Sequence, residues 1–172
     1  AFNSESWNWK ESNVITDKSF LKINDSLLKH SNTLNLILND ECIKKKLIEI
    51  VNLIEFTFHN KGKVLFAGNG GSFADSQHIA TEFVARFSTD RAPLPSIALG
   101  TNSSNLTAIA NDFGFENVFS RELEALANEN DFLIALSTSG NSKDIINLVS
   151  KAQKMGIKFF IFTGLDGGYL SK

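Results

Sequence analysis

Two turns rich in glycine and polar side chains are the features of this sequence best suited to holding a ligand. They are Gly68-Asn69-Gly70-Gly71-Ser72 and Ser137-Thr138-Ser139-Gly140-Asn141-Ser142. Glycines permit close backbone approach to a ligand, and hydroxyl and amide groups are neutral donors for phosphate oxygens. The alternative is a pair of ordinary capping turns, with Ser72 as a helix N-cap. One cap needs one polar side chain, and the second turn has five, so the pattern favours a phosphate site.

The first turn differs from the two most familiar nucleotide-binding motifs. No Lys-Ser or Lys-Thr pair follows its glycines, so it is not a P-loop. It matches the dinucleotide fingerprint at Gly68 and Gly70, but Phe73 stands where the third glycine belongs. The acidic residue that should close a second strand is also absent. We therefore expect no nucleotide cofactor.

A histidine and a glutamate follow the first turn on a predicted helix. His78 and Glu82 are four residues apart, so they share one helix face. An imidazole and a carboxylate at this spacing can bind one divalent cation or act on one substrate. A plain surface pair is the commoner outcome, and the spacing alone leaves both alternatives open.

Strands and helices alternate around these residues. Apolar runs typical of buried strands occupy 63–67, 95–99, 131–136 and 158–163. Helices are predicted over about 73–87, up to about 110, over 118–127 and over 143–155, with 111–115 as a loop. This order predicts an α/β three-layer sandwich with a parallel, flavodoxin-like sheet and right-handed crossovers. Both polar turns then lie at carboxyl ends of strands, where ligands bind in such sheets.

Two helices are predicted before the sheet. Apolar residues recur at helical spacing from Asp17 and again from Ile43 to Phe58. Asp40 is the predicted N-cap of the second helix, and Gly62 follows its end. A lone α/β domain does not need these apolar stripes, so they predict an oligomer interface.

We divide the chain into a tail and one domain. The tail is residues 1–16, and the domain is residues 17–172. Within the domain, residues 17–60 form the helical pair used in oligomerisation and residues 63–172 form the α/β core. The chain stops soon after the fourth strand, so we expect a last strand and helix to be missing from this core.

Composition limits the classes of partner. The 172 residues carry a formal net charge of −2, which gives no basic excess for nucleic acid. No apolar run approaches the roughly 20 residues that span a membrane, and the first residues lack the regions of a secretory signal. Cys42 is the one cysteine, which fits a reducing compartment. We expect a cytoplasmic protein that binds neither nucleic acid nor membrane.

Three longer stretches of the sequence are distinctive: GNGGSFADSQHIATEFVARF, NDFGFENVFSRELEA and STSGNSKDIINLVSKAQKMGIKFFIFTGLDGG. They resemble the sugar isomerase (SIS) domain, and most of all the phosphoheptose isomerase family, within a similarity that spans about residues 17–168. STSGNS alone marks the wider superfamily, whereas its combination with the other two stretches is more specific. The resemblance implies conversion of sedoheptulose 7-phosphate into a glycero-manno-heptose 7-phosphate, for lipopolysaccharide and other surface-polysaccharide synthesis. It also implies zinc and a homotetramer packed through N-terminal helices.

The resemblance also implies roles for individual residues. The implied substrate-binding residues are Asn69, Gly70, Gly71, Ser72, Glu82, Asn111, Asp112, Ser137, Thr138, Ser139 and Ser142. The implied zinc ligands are His78 and Glu82, and Glu82 is also the implied catalytic base. In the family, a glutamine and a histidine on the last helix complete the metal site, and we expect that helix to lie beyond these residues.

Two other functions remain open at this point. One is a non-catalytic SIS-domain regulator or scaffold that binds a phosphosugar, and the other is an isomerase or hydrolase acting on another phosphosugar. A scaffold has no need of His78, Glu82 and the NDFGF segment together, so their presence favours an enzyme.

Overall fold

Six α-helices and four β-strands make up the described part of the chain. The computed structural model describes residues 17–164 and 166–171, so the predicted tail at residues 1–16 lies outside it. The elements are α1 (Asp17–Asn39), α2 (Glu41–His59), β1 (Val64–Gly68), α3 (Gly71–Val84), β2 (Ser96–Ala98), α4 (Ser103–Phe113), α5 (Val118–Leu126), β3 (Phe132–Ser137), α6 (Lys143–Lys154) and β4 (Lys158–Thr163). Short 3₁₀ helices occupy Phe115–Asn117 and Gly168–Ser171.

The four strands form one parallel sheet in the order β2-β1-β3-β4. Val64 pairs with Ser96 on one side and with Phe132 on the other, and Phe132 pairs with Lys158. All of β1 is buried, as expected for a central strand covered on both faces. The predicted flavodoxin-like sheet is confirmed.

Helices cover both faces of this sheet. On one face, Leu65 and Leu133 pack in a core shared with α4, α5 and α6. On the other face, Phe66 and Phe132 pack in a core with α3 and with the part of α2 that follows Ile48. The alternation of strand side chains between two cores produces the predicted three-layer sandwich.

The chain divides into two compact units between Ile48 and Glu49. In the first unit, Asp40 Oδ1 accepts hydrogen bonds from the Cys42 and Ile43 N–H groups at 2.8 and 3.1 Å, so Asp40 is the N-cap that the sequence predicts. Apolar side chains of α1 are exposed at Phe20, Leu21, Ile23, Leu27, Leu28, Leu34, Leu36, Ile37 and Leu38. Their use in an oligomer interface stays a prediction. No helix in the described residues has the length and hydrophobicity to cross a membrane.

Helix α2 ends at His59, and Gly62 follows that end as the sequence predicts. The left-handed residue after the helix is Lys61, with φ of 60°, rather than Gly62. Gly62 is required for a different reason, because a Cβ atom there would lie 2.1 Å from the Asn130 carbonyl oxygen. The glycine therefore permits a close approach to the loop before β3.

Helix α3 ends earlier than the sequence pattern suggests. Its last residue is Val84, three residues before the predicted end. The guanidinium of Arg91 donates to the carbonyl oxygens of Glu82 and Phe83 at 2.6 and 2.7 Å. These carbonyls lie in the last turn, where no intrahelical partner is available, so Arg91 stabilises the helix end.

Candidate functional site

The two polar turns meet at one crevice. Helices α3 and α6 follow β1 and β3 and lie on opposite faces of the sheet, which makes the gap between these strands a switch point where ligands bind. Asn69 in the first turn donates from Nδ2 to Asp144 Oδ2 in the first turn of α6, at 2.7 Å. The turns therefore lie side by side.

Most hydroxyl groups around this crevice have no hydrogen-bond partner in the described part of the chain. Ser137 is 5% exposed, and its Oγ has no hydrogen-bond partner among the described residues. Within the same part of the chain, the hydroxyls of Ser72, Thr138 and Ser142 also make no hydrogen bond, whereas Ser139 Oγ accepts one from the Asn141 N–H at 3.2 Å. A cleft of about 270 Å³ is lined by Ser72, Asp75, Leu136, Ser137, Thr138, Phe162, Thr163 and Gly164. Unpaired donors in a cleft are available to a ligand.

Both helices that begin at the crevice lack side-chain caps. The N-cap of α3 is Gly70, which has no side chain, and the N-cap of α6 is Ser142, whose side chain makes no capping hydrogen bond. The alternative in which Ser72 caps α3 is therefore wrong, because Ser72 lies inside the first turn. The first N–H groups of both helices and their positive dipole ends are left for an anion.

The second turn is held in place by the segment after β4. Thr138 O accepts a hydrogen bond from Gly164 N, and Gly140 O accepts one from Leu170 N, both at 3.1 Å. Gly140 has φ of +62°, and a Cβ there would lie 1.8 Å from the Gly167 carbonyl oxygen. Side chains larger than glycine are therefore excluded at Gly140.

Asn111 and Asp112 lie on a helix, which corrects the predicted loop. Helix α4 continues through Phe113 and ends at Gly114, whose φ is +87°. Asn111 Nδ2 donates to Asp112 Oδ1 at 2.8 Å, and both side chains are exposed. Within the described residues no hydrogen bond joins either side chain to the polar turns.

The NDFGF segment reaches the first turn through its second phenylalanine. Phe115 lines a second cleft of about 150 Å³ together with Asn69, Gly70 and Phe73. Phe115 therefore forms a wall beside the first turn. Contact of Asn111 and Asp112 with a sugar stays a prediction.

His78 and Glu82 form a close pair on α3. His78 Nε2 lies 3.5 Å from Glu82 Oε1, and their side chains are 75% and 29% exposed. Glu82 is eleven residues beyond Gly71, about 16 Å along the helix axis. Asp75 lines the cleft of about 270 Å³. It precedes His78 by three residues and Glu82 by seven, so all three side chains share one face of α3. This face therefore runs from the crevice to Glu82.

The pair offers two donors suited to zinc, an imidazole nitrogen and a carboxylate oxygen. Zinc sites in proteins commonly use three or four ligands. Among the described residues, no group of three or more His, Cys, Asp or Glu side chains is placed to hold a metal ion. His78 and Glu82 therefore fit part of a zinc site.

Sequence reasoning missed Asp144, and it counted Asn141 among the polar residues of the second turn without predicting its contacts. Asp144 is 4% exposed and contacts Asn69. Asn141 donates from Nδ2 to Ser139 O and accepts from Tyr169 N at Oδ1, both at 2.9 Å, so it braces the second turn. An acidic residue in the first turn of a helix was the available signal for Asp144. No local signal indicates the bond from Tyr169.

Comparison with known proteins assigns the family. The SIS domain family matches residues 30–164. The phosphoheptose isomerase of Helicobacter pylori (strain P12) is 44% identical over 146 residues, which is 85% of this chain and 75% of that protein. The chain belongs to the phosphoheptose isomerase family of SIS-domain proteins. The family's member from Sulfurimonas denitrificans is 44% identical over 150 residues, which is 87% of this chain and 77% of that protein.

Solved structures of phosphoheptose isomerases share the fold. The structure from Francisella tularensis has a TM-score of 0.84 and 32% identity, and covers 88% of this chain and 78% of that chain. The structure from Neisseria gonorrhoeae has a TM-score of 0.76 and 33% identity, and covers 90% of this chain and 78% of that chain. The predicted family membership and fold class are confirmed.

Proposed function

We propose that this protein is an aldose–ketose isomerase that converts sedoheptulose 7-phosphate into glycero-manno-heptose 7-phosphate through an enediol. The observation that carries the proposal is the buried, unpaired Ser137 hydroxyl in a crevice where α3 and α6 begin without side-chain caps. Such a concentration of free donors suits a phosphate dianion. The names of the curated relatives, at 44% identity, support a heptose as the sugar.

The phosphate occupies the crevice and is held mainly by neutral donors. The hydroxyls are those of Ser137, Thr138, Ser139 and Ser142, and the backbone N–H groups are those at the starts of α3 and α6. A Cβ added at Gly70 or Gly71 would have no atom within 4 Å. Open space on that side of the turn lets a ligand approach the backbone closely. Binding at the phosphate supplies free energy remote from the reacting carbons.

The sugar runs along the face of α3 from the crevice to Glu82. Glu82 lies seven residues after Asp75, which is about 10 Å along the helix axis and comparable to the length of an extended heptose phosphate. Asn69, Asn111 and Asp112 would bind sugar hydroxyls along the way. This path brings the carbons farthest from the phosphate to the Glu82 carboxylate, which is the base of our proposal.

Isomerisation requires a base at carbon and a charge-stabilising group at oxygen. A proton moves between C1 and C2, and the intermediate is an enediolate. The Glu82 carboxylate takes this proton in our proposal, since it is partly shielded from water at 29% exposure. His78, at 3.5 Å from Glu82 Oε1, orients the carboxylate.

His78 and Glu82 would also supply two ligands of a zinc ion. When bound, such an ion is a Lewis acid for the sugar oxygens at C1 and C2. We expect the purified protein to contain zinc by elemental analysis and to lose it in His78→Ala. Zinc in this variant equal to that of the wild type would exclude His78 as a ligand.

Glu82→Gln tests the assigned base. We expect kcat for sedoheptulose 7-phosphate to fall about 1000-fold, since general bases contribute about 10²–10⁴-fold, while inorganic phosphate binds within twofold of the wild type. Turnover is followed by ¹H NMR of the aldose product, with and without a chelator. Glu124→Gln, an exposed carboxylate on α5, is the matched control and keeps full turnover.

The outcome separates the proposed enzyme from its main alternative. Normal turnover in Glu82→Gln would remove Glu82 from its role. Phosphosugar binding by the wild type without zinc and without turnover would instead indicate a non-catalytic regulator or scaffold.

We further propose a homotetramer that acts in the cytoplasm, in the synthesis of surface-polysaccharide heptose. The exposed apolar side chains of α1 support self-association. Light scattering after size-exclusion chromatography measures the assembly, and a monomer at micromolar concentration would contradict it.

A further inference from the structure

A buried carboxylate beside the crevice has a single hydrogen-bond partner. Asp144 is 4% exposed, and within the described residues its side chain makes one hydrogen bond, the one from Asn69 Nδ2. Asp131 is equally buried, but it accepts from Lys63 N, Lys63 Nζ and Asn128 N. Burial of a carboxylate costs free energy unless donors compensate it. Three donors outside the crevice compensate the cost of burying the Asp131 carboxylate. Among the described residues, the Asp144 carboxylate has one donor, and that donor belongs to the candidate site.

The chemistry of this contact fixes the direction of the Asn69 amide. An asparagine side chain has a donor end, Nδ2, and an acceptor end, Oδ1. An ionised carboxylate only accepts hydrogen bonds, so Asp144 selects the orientation in which Nδ2 faces α6. No donor among the described residues reaches Asn69 Oδ1. The amide oxygen is therefore left without a donor from these residues, and Asn69 itself lines a cleft with Gly70 and Phe115.

We propose that Asp144 is a positioning residue that holds Asn69 with its amide oxygen free to accept a hydrogen bond from a substrate hydroxyl. The inference rests on the proposed function, because it takes a sugar phosphate as the ligand. Asp144 acts through Asn69 and touches no substrate atom itself.

The charge of Asp144 gives the proposal a distinctive signature. A carboxylate beside the crevice repels a phosphate, although the positive end of α6 offsets this repulsion. Removing the charge while keeping the shape should leave inorganic phosphate binding unchanged or tighter. If the Asn69 amide is no longer held in one orientation, binding of the sugar phosphate should weaken. A crevice that is merely damaged would bind both ligands more weakly.

Asp144→Asn provides the test, with calorimetric Kd values for sedoheptulose 7-phosphate and for inorganic phosphate. We expect the Kd of the sugar phosphate to rise about tenfold, the effect of losing one well-placed hydrogen bond, and the Kd of inorganic phosphate not to rise. Asn69→Ala should give a similar loss, and the double variant should lose no more than Asn69→Ala alone. Asp131→Asn is the control, and it should unfold at lower temperature while keeping both Kd values.

Each outcome decides a separate claim. An unchanged Kd for the sugar phosphate in Asp144→Asn, or additive losses in the double variant, overturns the positioning role. If the wild type binds the sugar phosphate without converting it and the variants behave as expected, the proposed function fails and the positioning role stands. If the wild type does not bind it, both fail.

A second measurement uses the wild type alone, so it tests the proposal even if Asp144→Asn does not fold. In the wild type, the side-chain amide protons of Asn69 should exchange slowly with water, because one of them is bonded to a buried carboxylate. Fast exchange of both protons in ¹⁵N-resolved NMR spectra would overturn the proposal.

Discussion

Three helices begin at the same edge of the sheet, and one of them is built differently from the other two. At α4, Asn102 Oδ1 accepts hydrogen bonds from the N–H groups of Ser104 and Asn105 at 3.0 and 3.1 Å. At α3 and α6 no side chain performs this task. A capped end has satisfied its own donors, whereas an uncapped end keeps them for a ligand. In our proposal, the difference separates a structural helix end from one that binds the phosphate.

The hydroxyl groups show the same difference. Ser76, Thr81 and Thr107 each donate to a carbonyl oxygen one turn back in a helix, at 2.8 to 2.9 Å. Ser137 has no such partner among the described residues, although it is buried. An unpaired buried hydroxyl costs about 1–3 kcal/mol. The unpaired Ser137 hydroxyl therefore lowers the stability of the free protein, as expected at a site where a ligand supplies the missing hydrogen bond.

The largest effect is expected when an uncapped end is converted into a capped one. Ser142 has the extended backbone of an N-cap, so Asp in Ser142→Asp can accept the free N–H groups of α6. Its charge also repels the anion, and we expect the affinity for inorganic phosphate to fall about 100-fold while the melting temperature does not fall. Calorimetry and thermal unfolding measure the two quantities.

The matched control for this change is at the capped end. Asn102→Asp places the same carboxylate at the start of α4, where the cap already exists. It should leave phosphate binding unaltered. Equal losses of affinity in the two variants would show that charge alone, rather than the uncapped end, controls binding.

A smaller effect is expected for the unpaired hydroxyl. Ser137→Ala should weaken inorganic phosphate binding about tenfold, the effect of one hydrogen bond to a charged group. Stability should be unchanged or higher, because an unpaired buried polar group is removed. Ser76→Ala is the control, since it loses a bond to Ser72 O and should lower stability without changing affinity. Affinity intact in Ser137→Ala would place the phosphate elsewhere.

Removal of the α4 cap should affect folding alone. Asn102→Ala leaves two N–H groups without their acceptor, and the expected loss is about 1 kcal/mol in the free energy of unfolding. Urea titration measures this loss, and phosphate binding should stay at the wild-type level. Weaker phosphate binding in Asn102→Ala would contradict the division between structural and binding ends.

The smallest expected effect is a pH dependence outside the crevice. Lys151 holds the pKa of Glu124 below its ordinary value of 4.5, through a hydrogen bond and charge attraction, and Arg121 adds a smaller attraction. Because the folded pKa is the lower one, this contribution is present above about pH 4.5 and is lost as pH falls through the folded pKa. The stability difference between wild type and Glu124→Gln should therefore shrink on acidification, while phosphate binding at neutral pH stays equal. A constant difference in urea unfolding would contradict this.

Local patterns were sufficient to predict the sheet and both turns. Buried strands such as β1 and β3 are continuous apolar runs, and glycines mark the turns that follow them. The predicted end of α4, at about Ala110, lies three residues before the observed end at Phe113. The helix stops at Gly114, which has a positive φ, whereas neither Asn111 nor Asp112 ends it. Helix ends are commonly the least certain part of such patterns.

The contacts across the crevice could not be predicted from local patterns. Asn69 and Asp144 are 75 residues apart, and only the packing of β1 beside β3 brings them together. The same limit applies to Ser72, which resembles an N-cap in sequence but lies within the first turn because the helix begins at Gly71. Bonds of this kind depend on tertiary structure, so the sequence predicts the members of the site better than their partners.

The most direct test is to map the backbone amides that respond to sedoheptulose 7-phosphate in ¹⁵N NMR spectra. We predict the largest shifts in residues 70–73 and 138–143, where the uncapped helices begin, and no comparable shift in residues 102–105 at the capped start of α4. Shifts confined to α4, or spread away from both polar turns, would contradict the account.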